Sequence, residues 1–394
     1  MRSLRNRLFV VVCVLATGVA AVVLVVLLGA VLYKGWDHLT IGLLTNAPSR
    51  RASEAGLKPA IVGSIYLFII CAVVAIPIGV GAAILMEEFP PRGRVMRALH
   101  RLVQLNITNL AGVPSIVYGI IGLTIFANMS MFPGLGTSLS PRYAMGVTWY
   151  DEFYDEAGNL LRVRTDRRDA PATVVTNGMT ATLVTDTGVQ ETITVRVMPI
   201  EAIDALHDDE QDPSRQKLAG VLSPDAEPQR VSEKAWYYVQ LPFGRGVLAG
   251  GLTLMLVVLP IIITVTQEAL RAVPNTLREG ALACGATRWQ MVWKMTLPAA
   301  VQGIMTGSIL AMSRAIGEAA PVLILCGIVY ISFLPANLMD DFTVMPLQIY
   351  NWASRPQEAF HGVAAAGIIV LLVVLLSFNA LAIFIRQKFN KPLS

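Results

Sequence analysis

The sequence places a single arginine, Arg314, inside the apolar stretch 308–327. A lone base in a membrane-spanning helix costs about 2.5–3.5 kcal/mol on insertion scales, so such a residue usually serves a function. Its guanidinium offers paired, planar donors that suit a phosphate group. Glu318 lies four residues later, on the same face of a helix, where it would hold the guanidinium and weaken its attraction for an anion. The two residues indicate an anion relay, and a self-contained Arg–Glu pair explains the same pattern.

A second group of polar candidates lies in the segment 111–119, which has the sequence AGVPSIVYG. Gly112 and Pro114 interrupt a helix, and an interrupted helix can turn backbone N–H groups toward a substrate. Ser115 and Tyr118 would add hydroxyl contacts. An ordinary helix kink has the same pattern, so both interpretations stay open.

The elements that position these residues are membrane-spanning helices. Apolar residues make up 54% of the chain and charged residues only 15%, whereas ordinary soluble domains carry about 25% charged residues. This composition excludes a soluble enzyme and a disordered chain, and the long apolar runs argue against an outer-membrane barrel. Because about 20 apolar residues cross a bilayer, we predict an all-α polytopic membrane protein. Its six spans are expected at roughly 8–33, 60–86, 103–129, 246–266, 299–330 and 362–385.

Charge divides the chain into two parts. Residues 142–240 carry 17 acids and 10 bases, whereas the remaining residues carry 10 acids and 21 bases. Within the acidic part, Ile193, Val195 and Val197 alternate with polar residues, and Asp186-Thr187-Gly188 is typical of a hairpin turn. The sequence therefore predicts a small β-rich domain, inserted between the third and fourth spans.

Basic residues in short loops predict the orientation, because such loops are retained in the cytoplasm. With six spans, fourteen bases fall on one side of the membrane. They are Arg2, Arg5, Arg7, Arg92, Arg94, Arg97, Arg101, Arg271, Arg278, Arg288, Lys294, Arg386, Lys388 and Lys391. Both termini are then expected in the cytoplasm and the acidic insert outside. The four cysteines do not indicate a disulfide framework, and the four histidines lack metal-binding spacing.

The loop between the fourth and fifth spans, residues 268–298, carries a spaced motif. It resembles the E-A-A-x-x-x-G-x9-I-x-L-P pattern of ABC-importer permeases, with Gly280 in place of the first alanine and Met295 in place of the isoleucine. The matching positions are Glu279, Ala281, Gly285, Leu297 and Pro298.

This resemblance implies that the loop forms a short, rigid coupling helix that enters a cleft on a separate ATPase. The small residues Gly280 and Ala281 would let the helix seat deeply, Gly285 would allow a sharp turn, and Pro298 would start the fifth span. The sequence has no G-x-x-x-x-G-K-[ST] loop, so ATP hydrolysis is expected in another polypeptide and this chain is not expected to be an enzyme. An ordinary interfacial helix is the alternative.

Four further segments resemble the PstA family of phosphate-importer permeases. They are 110–120, 267–274, 312–321 and 342–358. The last segment begins FTVMPLQIYNW and is typical of PstA rather than of its sister family PstC. The resemblance covers about residues 35–135 and 240–390, and the insert departs from it.

The resemblance implies inorganic phosphate as cargo and a bacterial inner membrane as location. The implied partners are a PstC-like permease subunit, an ABC ATPase dimer and a periplasmic phosphate-binding protein. Arg314 and Glu318 would belong to the charged pathway motif of that family. No cofactor, metal or nucleic acid is expected.

We expect four segments in the chain. They are an N-terminal helix with an external loop (1–58), core helices two and three (59–138), the extracytoplasmic insert (139–240), and core helices four to six with the coupling loop (241–394).

Two rival functions stay open. One is a permease for another oxyanion, such as sulfate or molybdate, which the coupling motif does not distinguish. The other is a membrane-anchored sensor or scaffold, which needs neither the coupling motif nor an intramembrane arginine. A secondary transporter would be expected to show paired repeats with broken helices, and the sequence does not indicate them.

Overall fold

The chain forms two compact units, one helical and one built on a β-sheet. The helical unit comprises Met1–Tyr143 and Gln240–Ser394, and the other unit is Ala144–Val239. The computed structural model describes residues 2–91, 93–110, 112–129, 136–137, 140–141, 143–154, 159–165, 168, 170–185, 188, 190–197, 221–222, 227–327 and 330–388. The predicted fold class, a polytopic helical protein with a β-rich insert, is confirmed.

The helical unit consists of long apolar helices that are joined by shorter helices. Its α-helices are α1 (Arg2–Gly35), α2 (Ile41–Thr45), α3 (Lys58–Glu88), α4 (Arg94–Leu110), α5 (Ser115–Gly122), α6 (Val247–Arg271), α7 (Asn275–Ala283), α8 (Arg288–Met291), α9 (Leu297–Gly317), α10 (Ala320–Cys326), α11 (Met345–Ala353) and α12 (Glu358–Lys388). Among the described residues, five stretches are long and apolar enough to cross a membrane: Phe9–His38, Lys58–Glu88, Val247–Arg271, Arg288–Gly317 and Glu358–Phe384. The bent pair α4–α5 would be a sixth.

The third predicted span, 103–129, is not one helix. The chain bends by 112° between α4 and α5, and residues 112–114 lie outside both helices. Pro114 has no N–H to donate and disfavours helical backbone at the residue before it, so a new helix begins only at Ser115. The interruption was predicted from Gly112 and Pro114, and the bent pair is the counterpart of the predicted third span.

The fifth span begins earlier than predicted. The helix α9 begins at Leu297 with Pro298 in its first turn, as predicted. The membrane-spanning stretch as a whole runs from Arg288 to Gly317, so it begins about ten residues before the predicted bound of 299. A π-helical turn, Val292–Thr296, directly precedes the proline region. Such a turn bonds over five residues instead of four, which accommodates a proline that has no N–H.

The fifth span also ends earlier than predicted. It stops at Gly317, and α10 begins at Ala320 with Pro321 in its first turn. Glycine and proline are the two weakest helix formers, which explains a break that apolar composition does not indicate. Arg314 therefore lies in the last turn of α9 and not mid-way along a helix over 299–330, as the sequence had suggested.

Small residues let α9, α6 and α3 pack closely. A side-chain carbon added at Gly307 would come within 1.8 Å of Val265 on α6, and one added at Gly251 would come within 2.5 Å of Ile70 on α3. The largest core cluster contains buried residues from α3, α5, α6, α9 and α10. The helical unit is thus centred on α6.

The insert is built around a sheet that has, within the described residues, six strands in the order β7-β6-β5-β4-β3-β8. These strands are β3 (Tyr143–Tyr154), β4 (Leu160–Thr165), β5 (Met179–Val184), β6 (Gln190–Val197), β7 (Val221–Leu222) and β8 (Gln229–Leu241), preceded by a two-stranded pair, β1 (Gly136–Thr137) and β2 (Ser140–Pro141). Strands β3 to β6 pair antiparallel, and β7 runs parallel to β6. The alternation at 193–197 correctly indicated β6, whereas Asp186 and Thr187 of the predicted turn lie outside the described residues.

In chain order, β3 is the first strand of this sheet and β8 is the last, and these two strands are neighbours in the sheet. Near the start of β3, Gly146 lies against β8, since a carbon added there would come within 3.2 Å of the Tyr238 Cα. Its φ of +74° also favours glycine. The chain therefore enters and leaves the insert along adjacent strands.

A buried ion pair joins β3 to β8. The Arg230 Nε donates to the Asp151 Oδ1 over 2.7 Å, and its Nη2 donates to Oδ2 over 2.9 Å. The backbone N–H of Thr173 also donates to this carboxylate. Asp151 is only 1% exposed. The hydrogen bond from Arg230, aided by Thr173, lowers the pKa of Asp151 to about 2, although burial acts in the opposite direction.

Candidate functional site

Arg314 and Glu318 contact each other across the end of α9. The Arg314 Nε donates to the Glu318 Oε1 over 3.1 Å. Glu318 is the first residue beyond the helix, where its backbone is extended. A cation in the last turn of a helix also interacts favourably with the helix dipole. The pair thus fixes a base at the point where the helix breaks.

The two side chains differ in exposure. The Arg314 side chain is 57% exposed, whereas that of Glu318 is 17% exposed. Glu318 shares a small cavity with Ser64 of α3 and Leu254 of α6. Among the described residues, the two terminal nitrogens of Arg314 have no hydrogen-bond partner. The mostly buried Glu318 therefore binds only the Nε of the more exposed guanidinium.

Ser115 and Tyr118 are not brought to this pair. The Tyr118 hydroxyl donates to the carbonyl oxygen of Leu110 over 2.7 Å, and its side chain is buried. Tyr118 thereby links α5 to the end of α4 across the break. Ser115 is half-buried at the start of α5. Within the described chain, neither residue forms a hydrogen bond with Arg314 or Glu318.

The helix α5, which follows the break after α4, packs against α10, which follows the break after α9. A carbon added at Gly119 on α5 would come within 2.8 Å of the carbonyl oxygen of Pro321 on α10. A carbon added at Gly122 would come within 2.0 Å of the Thr253 hydroxyl oxygen on α6. The helices that follow the two breaks therefore lie against each other and against α6.

The predicted coupling motif forms a short helix and a turn. Glu279 and Gly280 are exposed on α7, and Ala281 is half-buried. Gly285 follows the helix with a φ of +81°, the left-handed conformation that favours glycine. The Thr287 hydroxyl then accepts from the Gln290 N–H, and the Gln290 side chain accepts from the Thr287 N–H, which caps α8.

The last two motif positions, Leu297 and Pro298, differ in their surroundings. Leu297 belongs to a cluster that also holds Leu277 of α7 and buried Leu270 of α6. Pro298 is exposed within the continuous helix. A cavity of about 450 Å³ lies beside α7 and is lined by Gly280, Ala281, Cys284, Gly285, Ala286, Gln290, Met291, Lys294 and Met295.

Two ion pairs join this region to the end of α3. The Arg278 Nη2 donates to the Glu88 Oε1 over 2.8 Å, and Arg271 donates to both carboxylate oxygens of Glu87 over 2.8 and 3.0 Å. Arg278 and Glu88 are mostly buried, whereas Arg271 is largely exposed. Sequence reasoning used Arg278 for orientation and Arg271 for coupling or orientation, and it missed the partners of both. The available signal was two adjacent acids at the end of an apolar helix.

One known protein family matches most of the chain. The profile of the family described as "Binding-protein-dependent transport system inner membrane component" matches residues 75–391. The chain belongs to this family. It is thus the inner-membrane permease component of an ABC importer, and ATP hydrolysis belongs to a separate subunit. A binding protein and an ATPase are its expected partners.

Individual relatives in this permease family differ in coverage. The "Phosphate transport system permease protein PstA" of Xylella fastidiosa is 37% identical over 143 residues, which cover 36% of this chain and 49% of the relative. A probable PstA of Methanocaldococcus jannaschii is 34% identical over 138 residues, 35% of this chain and 49% of that relative. The chain thus matches about half the length of these relatives. The "Probable ABC transporter permease protein YqgI" of Bacillus subtilis is 21% identical over 405 residues, with 100% of this chain and 99% of that protein covered.

Proposed function

We propose that this permease carries inorganic phosphate into the cytoplasm. The observation that carries the proposal is the geometry of Arg314, whose exposed side chain is bound at Nε by Glu318 while its terminal nitrogens have no partner among the described residues. A guanidinium with two parallel donors matches the oxygens of phosphate. The names of the PstA relatives support the same cargo.

The negative charge of Glu318 tunes the site for transport. A pathway site must attract its ion strongly enough to admit it and weakly enough to release it. Glu318 lies against the guanidinium and lowers its net attraction for an anion. Ser115 and Tyr118 would contribute to the pathway through α5, whose packing against α10 links them to the region after Glu318.

The same proposal assigns partners and orientation. A PstC-like subunit completes the pathway, a periplasmic phosphate-binding protein delivers the anion, and an ATPase dimer binds Glu279, Gly280 and Ala281 on α7. Residues 268–298 transmit the closure of that dimer to the spans, which alternate between outward- and inward-facing states. Both termini lie in the cytoplasm and the insert lies outside.

The test is uptake of radiolabelled phosphate in cells that carry the complete transporter. Arg314→Ala should lower uptake by at least about tenfold, since it removes charge-assisted hydrogen bonds to the anion. Arg97→Ala removes an exposed base from α4 and serves as the matched control. Wild-type uptake at equal protein in the membrane for Arg314→Ala contradicts the pathway role. Uptake of radiolabelled sulfate or molybdate, without uptake of radiolabelled phosphate, assigns another oxyanion as cargo.

A further inference from the structure

A cavity of about 680 Å³ lies between α6, α9 and α12. It is lined by Val265, Glu268, Ala269, Gln302, Gly303, Thr306, Gly307, Leu310, Arg386 and Gln387. Glu268 precedes the end of α6 by three residues, and Arg386 lies just beyond the apolar part of α12. Because α7 follows α6 directly, Glu268 places the cavity near the end of α6 that leads into the predicted coupling helix.

Arg386 is anchored inside this cavity. Its Nη1 donates to the Thr306 Oγ1 over 2.8 Å, and that hydroxyl donates in turn to the carbonyl oxygen of Gln302 over 2.7 Å. The remaining guanidinium nitrogens of Arg386 have no hydrogen-bond partner in the part of the chain that the structure describes. One nitrogen therefore positions the guanidinium, and the others face the cavity.

The cavity lies on the face of α9 that carries Arg314. Gly303, Gly307, Leu310 and Arg314 follow one another at spacings of four, three and four residues, which keeps them on one side of a helix. Leu310 lines the cavity and is one turn from Arg314. At a rise of about 1.5 Å per residue, Thr306 and Arg314 are about 12 Å apart along the axis. Thr306, which binds Arg386, and Arg314 thus lie at two levels on one side of α9, with the buried Gly307 between them.

We propose that Arg386 forms a second oxyanion site, which receives the transported anion after Arg314 and before its release. The inference rests on the proposed function. Glu318 is paired with Arg314, and Glu268 lines the same cavity as Arg386. An acid near each site limits retention of the anion. A phosphate group is also the headgroup of an anionic lipid. The shared helix face with Arg314 favours the cargo.

The test uses the complete transporter in vesicles of phosphatidylcholine alone and of phosphatidylcholine with phosphatidylglycerol. Arg386→Gln should lower the maximal rate of inorganic phosphate uptake about tenfold in both lipids, because charge-assisted bonds to the anion are lost. ATP hydrolysis and the external phosphate concentration at half-maximal uptake should stay at wild-type values. Arg386→Lys should restore most of the rate. Thr306→Val, which removes the anchoring hydroxyl, should lower it less than Arg386→Gln does.

Three outcomes overturn the inference. The first is a wild-type rate for Arg386→Gln at equal reconstitution. The second is a defect confined to vesicles with phosphatidylglycerol, which assigns the cavity to a lipid headgroup. The third is an equal loss in Arg97→Gln, which assigns the effect to surface charge. If wild type imports phosphate and Arg314→Ala does not, any of these outcomes rejects the Arg386 site and leaves the proposed phosphate transport intact. If wild type imports another oxyanion, the same variants are measured with that anion.

Discussion

The Arg278 guanidinium donates to the Glu88 carboxylate from within the coupling region. The same side chain donates to the carbonyl oxygens of Leu270 and Val273, over 2.7 and 2.8 Å. One residue of α7 therefore bonds the end of α3 and the end of α6 together. A displacement of α7 would therefore act on the ends of both helices through the hydrogen bonds of this guanidinium.

Replacement of Glu88 should uncouple ATP hydrolysis from transport. Removing one partner from a buried ion pair typically costs about 3–5 kcal/mol, and Glu88→Gln leaves Arg278 with no charged partner on α3. We expect the number of anions transported per ATP hydrolysed to fall about tenfold, with hydrolysis itself retained. Both quantities are measured on the reconstituted transporter.

The neighbouring pair provides the control. Arg271 is 59% exposed in its contact with Glu87, and exposed ion pairs contribute about 0–1 kcal/mol. Glu87→Gln should therefore leave coupling close to that of wild type. Equal losses in the two variants would show that the acidic end of α3 acts through its charge and not through the buried contact.

Two glycines of the coupling motif should respond differently to alanine. Gly285→Ala places a side chain in the left-handed conformation, at a cost of about 1–2 kcal/mol, and should lower both thermal stability and coupling. Gly280 lies within α7, where an added carbon meets nothing within 4 Å. Gly280→Ala should be neutral or stabilise by about 0.5–1 kcal/mol. Thermal unfolding and coupled transport of the two variants check this order.

The insert should lose stability in acid. The folded-state pKa of Asp151 is about 2, below its ordinary value of 3.8. A group with a lowered pKa contributes stability that is complete above the ordinary value and is lost as the pH falls through the folded value. Here the loss runs from about pH 4 to pH 2 and amounts to about 2 kcal/mol.

Hydrogen exchange of β3 in the full chain measures this effect. Asp151→Asn should destabilise the insert by about 2 kcal/mol at pH 7 and flatten the dependence on pH. Glu191→Gln, an exposed acid on β6 of the same sheet, is the control. A pH dependence unchanged by Asp151→Asn would assign the acid sensitivity to other groups.

Deletion of the insert should leave the transport core intact. The unit Ala144–Val239 is compact in itself, and both flanking regions carry the segments that resemble phosphate permeases. A chain with a short linker in its place should insert, bind the ATPase and take up phosphate. Correct insertion and ATPase binding without uptake would give the insert a role in docking of the binding protein.

Local signals explain which elements were predictable. The helix α7 and the turn at Gly285 follow from small residues and a left-handed glycine at fixed spacing. The strand β6 follows from alternation at 193–197. These features depend on neighbours in the sequence, so pattern alone was sufficient.

The missed features depend on distant residues or on weak interruptions. Glu88 and Arg278 are 190 residues apart, and nothing local in either segment identifies the other. The end of α9 at Gly317 escaped prediction because apolar composition continues past Pro321. Arg386 was assigned to orientation because its contact with Thr306 exists only in the folded chain.

Because β3 and β8 are adjacent, the two ends of the insert leave the sheet close together. A folded unit whose two connections lie side by side adds little separation between the helices on either side of it. One genetic insertion at a connecting loop could therefore introduce the whole sheet without altering the register of the flanking spans.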